Sequence, residues 1–379
     1  MTRPIRLFIL AGEPSGDRLA ADLVSHLRDR LDLEIGGVGG ERLHQQGLRS
    51  LFPMSDLSVM GFSDVLRRLP LLLWRLREAR RALIAFRPDI VVLVDAQEFS
   101  ARLALGARRL GFAGPMLLYV APSVWAWRPE RAAALKGVFD EVMSLFPFEP
   151  ATMRNLGGPY TSYVGHPALW DTRLRQDIRN RGRVLLLPGS REGELRRHLP
   201  LMRSVAERLA GHPSVSGFTM PTLARLADRL HREVKGWRVE VELATTQQDR
   251  ESAQDDALLA VACAGTVTLE LALSGIPMVT TYLGDRGQAR RYTKARPAAI
   301  SLPNIIMGEQ IVPEVILSEP DADRLVEVVT GLVDDTEARR RQLSAFVDLR
   351  QRMESGLGEQ KREDPADRVL AHIERSSRL

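Results

Sequence analysis

Short apolar runs alternate with longer amphipathic stretches along the whole chain. Ile5–Ala11, Glu34–Val38, Asp89–Val94 and Met116–Val120 read as strands, and DIVVLV at Asp89–Val94 is apolar on both faces, as a buried parallel strand must be. Between them Gly16–Arg30, Leu71–Phe86 and Ala101–Leu110 place apolar residues at helical spacing. The alternation restarts beyond a polar, arginine-rich seam at Val164–Arg183. Strands are expected at Arg183–Leu187, Gly217–Met220, Val239–Leu243, Leu258–Cys263 and Ile276–Tyr282, with helices at Leu199–Ala210, Leu223–Val234 and Val267–Ser274. Strand–helix alternation of this kind predicts an α/β protein with two Rossmann-like domains facing a cleft. The expected domains cover residues 1–168 and 175–350, followed by a helical tail at 351–379. Helices at Asp323–Leu332, Glu337–Met353 and Asp367–Glu374 close the chain, and the last is expected to cross back to the first domain.

Composition agrees with this division. A chain of 379 residues exceeds one ordinary core, and 44% hydrophobic with 27% charged residues describes a globular protein. The net charge of +5, carried mainly by arginine, favours an anionic partner such as a nucleotide or phosphorylated sugar. A single cysteine, Cys263, rules out a disulfide framework and points to a reducing cytoplasm. The N-terminal apolar run meets Glu13 and Asp17 too soon for a secretion signal, and no apolar run is long enough to span a bilayer. Asp321-Ala322-Asp323, a carboxylate pair at a helix start, reads as a cap rather than a metal site.

Candidate chemistry gathers at strand ends. After Leu258–Cys263, the turn Ala264-Gly265-Thr266 opens a helix whose N–H groups and dipole suit a phosphate. Glu270, one helical turn inside, is an acceptor-only group suited to paired ribose hydroxyls. No G-x-G-x-x-G fingerprint is present there, which argues against a dinucleotide-binding oxidoreductase. Gly189-Ser190-Arg191 follows the first strand of the second half, where a glycine turn and a guanidinium can clamp a diphosphate without metal.

In the first half, Ala11–Asp17 (AGEPSGD) sets Glu13, Ser15 and Asp17 beyond the first strand. Asp95–Ser100 (DAQEFS) sets two carboxylates, Asp95 and Glu98, at the end of a buried strand, where a raised proton affinity suits a general base. One is expected to cap or orient and the other to do chemistry. Tyr119–Trp127 (YVAPSVWAW) crowds aromatic residues into one loop, a stacking wall for a sugar or acyl chain or else interdomain packing. Val59–Phe86 mixes leucine and Trp74 with arginine, as a membrane-interface helix or an ordinary amphipathic helix does. His166 has no second histidine at metal-ligand spacing, so no metal is expected.

Taken together these motifs resemble the lipid-A-disaccharide synthases. AGEPSGD, GVGGERL, LSVMGFSDVL, DAQEFS, YVAPSVWAW, FPFE, VGHP, LLPGSREGE, AGTVTLE and SLPN stand in that family's order and spacing from residue 5 to about residue 320. The resemblance implies a glycosyltransferase-B fold and an inverting, metal-independent, cofactor-free transfer. Diacylglucosamine would pass from UDP-2,3-diacylglucosamine to the 6-hydroxyl of 2,3-diacylglucosamine 1-phosphate (lipid X), at the cytoplasmic face of the inner membrane. By position, Glu98 would be the base, supported by Asp95 and Glu13. Ser15, Ser123, Trp125 and His166 would line the acceptor side. Gly189, Ser190, Arg191, Gly265, Thr266, Glu270 and Asn304 would hold the UDP-sugar. The chain departs from the family pattern Asp-Ala-Pro-Asp-Phe-Asn at Gln97, Glu98 and Ser100, has Ala264 where serine is usual, and has Glu309 where a basic residue is common.

Two rival readings follow from the same residues. One is another UDP-GlcNAc-using enzyme of this fold, against which AGEPSGD and YVAPSVWAW speak. The other is a relative that keeps the fold with a changed acceptor or no catalysis. Nucleic-acid binding is not expected, because no basic strand face is interleaved with stacking aromatics.

Overall fold

A computed structural model describes residues 3–57, 62–284 and 299–377. Contacts divide the chain into two units, one of residues 1–167 with 353–379 and the other of residues 168–352. The first three residues of the expected membrane segment, 59–61, lie outside the described residues.

In the first unit six parallel strands form one sheet: β1 (Ile5–Ala11), β2 (Leu33–Val38), β3 (Ile90–Val94), β4 (Met116–Tyr119), β5 (Glu141–Ser144) and β6 (Thr161–Tyr163). Their order is β2-β1-β3-β4-β5-β6, so the winding reverses between β1 and β3. Alternate residues feed opposite cores. Leu7 and Ile9 pack with the helix Pro14–Arg28, while Phe8 and Leu10 pack with the helices Phe62–Phe86 and Gln97–Arg109. Pro14 at the first turn of Pro14–Arg28 and His26 and Arg28 in its last turn suit the helix ends.

The chain's final helix, Pro365–Ser377, belongs to this first unit. Ala366, Val369 and Ile373 complete its core. Beneath them Glu141, fully buried, accepts from Arg368 Nε (2.8 Å) and Nη2 (2.7 Å) and from Ser162 Oγ (2.5 Å), and lies 2.8 Å from His372 Nε2. Those partners hold the Glu141 carboxyl down to about 2 against the opposing effect of burial.

The second unit repeats the plan with β7 (Gly182–Leu187), β8 (Val215–Pro221), β9 (Val241–Ala244), β10 (Ala257–Cys263), β11 (Met278–Leu283) and β12 (Glu314–Leu317). The order β12-β11-β10-β7-β8-β9 places its reversal between β10 and β7. Helices Glu192–Leu209 and Ala322–Asp334 supply the core with Leu195, Leu199, Leu325 and Val329. Asp321 accepts from Arg324 N (3.0 Å), the cap expected of it.

Several boundaries move. The helix after β3 begins at Gln97 rather than Ala101, and that after β7 at Glu192 rather than Leu199. Strands β5 and β6 escaped the apolar pattern because polar residues occupy them, and β12 (EVIL), an apolar-rich run of only four residues, is also not among the expected strands. Glu141, Ser144, Thr161 and Ser162 are buried but satisfied, Glu141 by Arg368, His372 and Ser162, and Ser144 and Thr161 by backbone, as in Ser144 Oγ to Ser162 O at 2.8 Å.

Candidate functional site

In the second unit a cavity of about 510 Å³ opens at the β10–β7 reversal, where α/β sheets bind ligands. Gly189, Ser190, Arg191, Gly265, Thr266 and Glu270 all line it. Two helix N-termini, Glu192–Leu209 and Thr266–Leu273, open onto it. Gly189 has φ +102, and a Cβ there would lie 2.5 Å from Glu194 Oε2, so both conformation and space demand glycine. The N–H groups of Ser190 and Arg191 donate to Glu194 Oε2 (3.1 and 3.2 Å), and Arg191 Nη1 donates to Oε1 (2.9 Å). Here the turn already cradles an anion, a carboxylate of its own helix, which demonstrates where its donors point.

Glu270 is exposed at the cavity wall, and partial desolvation there, with the nearby Asp171, raises its proton affinity. Burial pushes the Cys263 thiol up to about 12, which keeps it protonated at neutral pH. Nearby, Arg250 and Gln254 also line the cavity, although no motif marked them.

Asn304 requires correction. It is 1% exposed, and its amide is fully engaged: Nδ2 donates to Val312 O (2.9 Å) and Glu314 Oε1 (2.7 Å), while Oδ1 accepts from Ile311 N and Val312 N (both 2.9 Å). It braces a loop and has no hydrogen-bonding capacity left for a nucleotide.

In the first unit the reversal between β1 and β3 brings Gly12 against Ala96; a Cβ on Gly12 would lie 2.5 Å from that of Ala96. Asp95 (φ +55) and Ala96 (φ +44) are both left-handed, strain that ordinary turns avoid and functional turns retain. The strained turn is fixed by Asp95 N to Tyr119 O (2.9 Å) and Ser100 Oγ to Asp95 O (2.8 Å). Burial, then the charge of Glu13, raises the proton affinity of Asp95, the direction a general base at neutral pH requires.

Glu98 stands differently. Its side chain is 64% exposed, in the first turn of Gln97–Arg109, and lies 3.3 Å from Arg131 Nη2. Arg131 also donates to Gln97 Oε1 (3.2 Å), and Gln97 Nε2 donates to Ala121 O (3.2 Å), which ties the β3 loop to the β4 loop. Ser15 is exposed in the first turn of its helix. Asp17, from the same motif, is buried and accepts from the N–H groups of Gly40 (2.7 Å), Arg42 (2.9 Å) and Leu43 (3.3 Å). That carboxylate is structural.

The loop after β4 begins at Val120, whose φ of +83 is a marked departure for a β-branched residue. Ser123 is exposed, and its carbonyl accepts from Ala126 N (3.1 Å) and Trp127 N (3.0 Å). Trp125 Nε1 donates to Glu149 Oε1 (3.2 Å), and the Trp125 ring meets Phe148 edge-on at 5.5 Å. Phe148 stacks on Phe146 (5.9 Å), and Phe146 stacks on His166 (5.6 Å). Burial pushes the Glu149 carboxyl up to about 7 against three N–H donors. Gln97, Arg131 and Glu149 were given no role by the sequence, although Glu149 sits inside the quoted FPFE motif. Among the described residues no cluster of His, Cys, Asp and Glu is arranged to hold a metal.

Two parallel six-stranded sheets, each with an equipped reversal point, define a glycosyltransferase-B type of fold. Solved structures share it: MurG of Acinetobacter baumannii (TM-score 0.59, 15% identity, 98% of this chain and 100% of that one) and MnaA of S. aureus solved with UDP (TM-score 0.61, 10% identity, 100% and 98%). The profile of the lipid-A-disaccharide synthetase family matches residues 7–365. The lipid-A-disaccharide synthase of Rhodopseudomonas palustris is 40% identical over 356 residues, covering 90% of each chain. That of Nitrobacter hamburgensis is 39% identical over 365 residues, covering 93% of this chain and 91% of its own. The chain belongs to the lipid-A-disaccharide synthetase family.

Proposed function

We propose that this chain joins two acylated glucosamines, taking UDP-2,3-diacylglucosamine as donor and 2,3-diacylglucosamine 1-phosphate as acceptor. One observation carries the reading: a family-matched chain has a carboxylate of raised proton affinity at one sheet reversal and an anion-directed turn at the other. The diphosphate lies against Ser190, Arg191 and the helix opening at Thr266, with Glu270 on the ribose. The acceptor 6-hydroxyl attacks C1 of the donor as the C1–O bond to phosphate breaks. The new C1–O6 bond forms with inversion, the hydroxyl proton passes to a carboxylate, and UDP leaves with the electron pair, its charge held by Arg191 and the helix dipoles.

Of the two candidate bases, the geometry favours Asp95 over Glu98. Asp95 is the less exposed, is raised in proton affinity and stands in a strained turn. Glu98 is open to water and paired with Arg131. Glu98 then orients Arg131 and the β4 loop, so the expected division of roles between the pair is reversed.

The chain works at a membrane surface without crossing it. Among the described residues no helix is long and apolar enough to span a bilayer. Helix Phe62–Phe86 packs its C-terminal half into the core through Ala79 and Leu83 but exposes Leu69, Leu73 and Trp74 beside Arg67 and Arg68. Such a face suits an anionic bilayer interface on the cytoplasmic side.

The test is UDP release from UDP-2,3-diacylglucosamine in detergent, with and without the acceptor. Release that requires the acceptor, with a disaccharide formed, supports the reading. UDP binding with no turnover supports instead a relative that has lost catalysis or changed its acceptor.

A further inference from the structure

We propose that Glu149 is a positioning residue for the acceptor: buried beneath the loop after β4, it sets the orientation of Trp125 and so the shape of an aromatic wall. This rests on the reading that Trp125 and His166 face the acyl-bearing acceptor sugar. Glu149 is 3% exposed, and its carboxylate accepts three hydrogen bonds. Oε1 takes the Trp125 indole N–H (3.2 Å), and Oε2 takes the N–H groups of Leu145 (3.1 Å) and Phe146 (3.0 Å). The carboxylate therefore bridges two loops, using one oxygen on the β4 loop and the other on the turn after β5.

The bridge joins an aromatic row. Trp125 meets Phe148 at an interplanar angle of 80°, Phe148 and Phe146 lie parallel within 2°, and Phe146 and His166 within 9°. Four rings from the segments after β4, β5 and β6 thus form one continuous wall, and the single hydrogen bond to Glu149 fixes the ring at its end. Trp125 itself is half-buried, so one part of the ring is held and the rest remains available. The loop that carries it is strained at Val120 and at Arg128 (φ +51), and is tied to the β3 turn through Gln97 and Ala121.

A purely structural brace could have been apolar, since burying a carboxylate is costly. Only a group with two acceptor oxygens satisfies donors on both loops at once. Glutamine cannot: its single oxygen serves either Trp125 or the backbone, and its amide presents donors to the other side.

Glu149→Gln, Trp125→Phe and the double variant are compared by acceptor KM, donor KM, kcat and UDP affinity, with Tm followed for each. Acceptor KM is expected to rise about tenfold in each single variant, with donor KM and UDP affinity unchanged. The double variant is expected to be no worse than either single one, because both remove the same contact. Acceptor KM within twofold of wild type in Glu149→Gln overturns the proposal, as do additive effects in the double variant. Should Glu149→Gln fail to fold, Glu149→Asp decides, since it keeps two acceptor oxygens but withdraws them by one methylene: a raised acceptor KM with donor KM unchanged supports the proposal and an unchanged one overturns it. A wild-type chain that forms no disaccharide overturns the reading beneath it instead.

Discussion

The two sheet reversals are built by opposite means. In the first unit the β3 turn and the loop after β4 use non-glycine residues forced left-handed, Asp95, Ala96, Val120 and Arg128, with Gly12 allowing the close approach of the β1 turn to Ala96. In the second unit every described residue with positive φ is a glycine, Gly189 among them. The difference follows from what each must present. A turn that offers backbone N–H groups to a diphosphate gains by having no side chain in the way. A turn that offers a carboxylate or an aromatic ring must keep its Cβ, and the surrounding packing has to hold it in a costly conformation. One site is made by omission of side chains and the other by constraint of them.

The comparison can be broken in several places. Asp95→Asn, which keeps shape and removes the base, should lower kcat by about 10²–10⁴ while UDP binding stays at the wild-type value. Glu98→Gln should cost less than about tenfold; the reverse ranking would return the base to Glu98. As the proposed base, Asp95 has to be ionised, so the rate should fall on the acid side at a pH above the ordinary aspartate range.

The first unit also depends on Glu141. Its carboxyl is held at about 2 against an ordinary 4.5, so its contribution is complete above the unfolded value and is lost as pH falls from there through the folded value. That contribution is on the order of 3 kcal/mol, and thermal unfolding of wild type should lose roughly 2 kcal/mol of it from about pH 6 to about pH 3 and the rest at lower pH, while Glu141→Gln starts lower and changes less.

Gly189→Ala and Ala96→Gly form a matched pair. The first places a Cβ against Glu194 at positive φ and should cost about 1–3 kcal/mol with at least about tenfold weaker UDP binding. The second relieves a left-handed alanine and should raise Tm by about 2 °C, while turnover falls as Asp95 loosens. Destabilisation by Ala96→Gly would remove strain from the account of the first unit.

Much of this was legible in the chain. Buried strands such as Ile90–Val94 and the glycine turns at Gly189 and Gly265 announce themselves through apolar runs and small residues. What escaped was set by tertiary partners. Glu141 looks like a surface residue until Arg368 and His372, far along the chain, arrive to satisfy it. Asn304 resembles a ligand contact until its loop closes around it. The relative standing of Asp95 and Glu98 hinged on four residues of helix boundary, since a start at Gln97 turns Glu98 outward beside Arg131. Spacing alone does not report a start set by two left-handed residues.

The return of the last helix has a consequence for biogenesis. Residues 168–352 are contiguous, so the second unit has its whole sheet available once they leave the ribosome. The other unit, although begun first, must wait through the synthesis of that entire insertion before Ala366, Val369 and Ile373 can cover its core. During that interval the Glu141 carboxylate lacks both Arg368 and His372. The half of the molecule translated first is thus completed last, and nascent chains stalled before residue 353 should be the ones that chaperones hold.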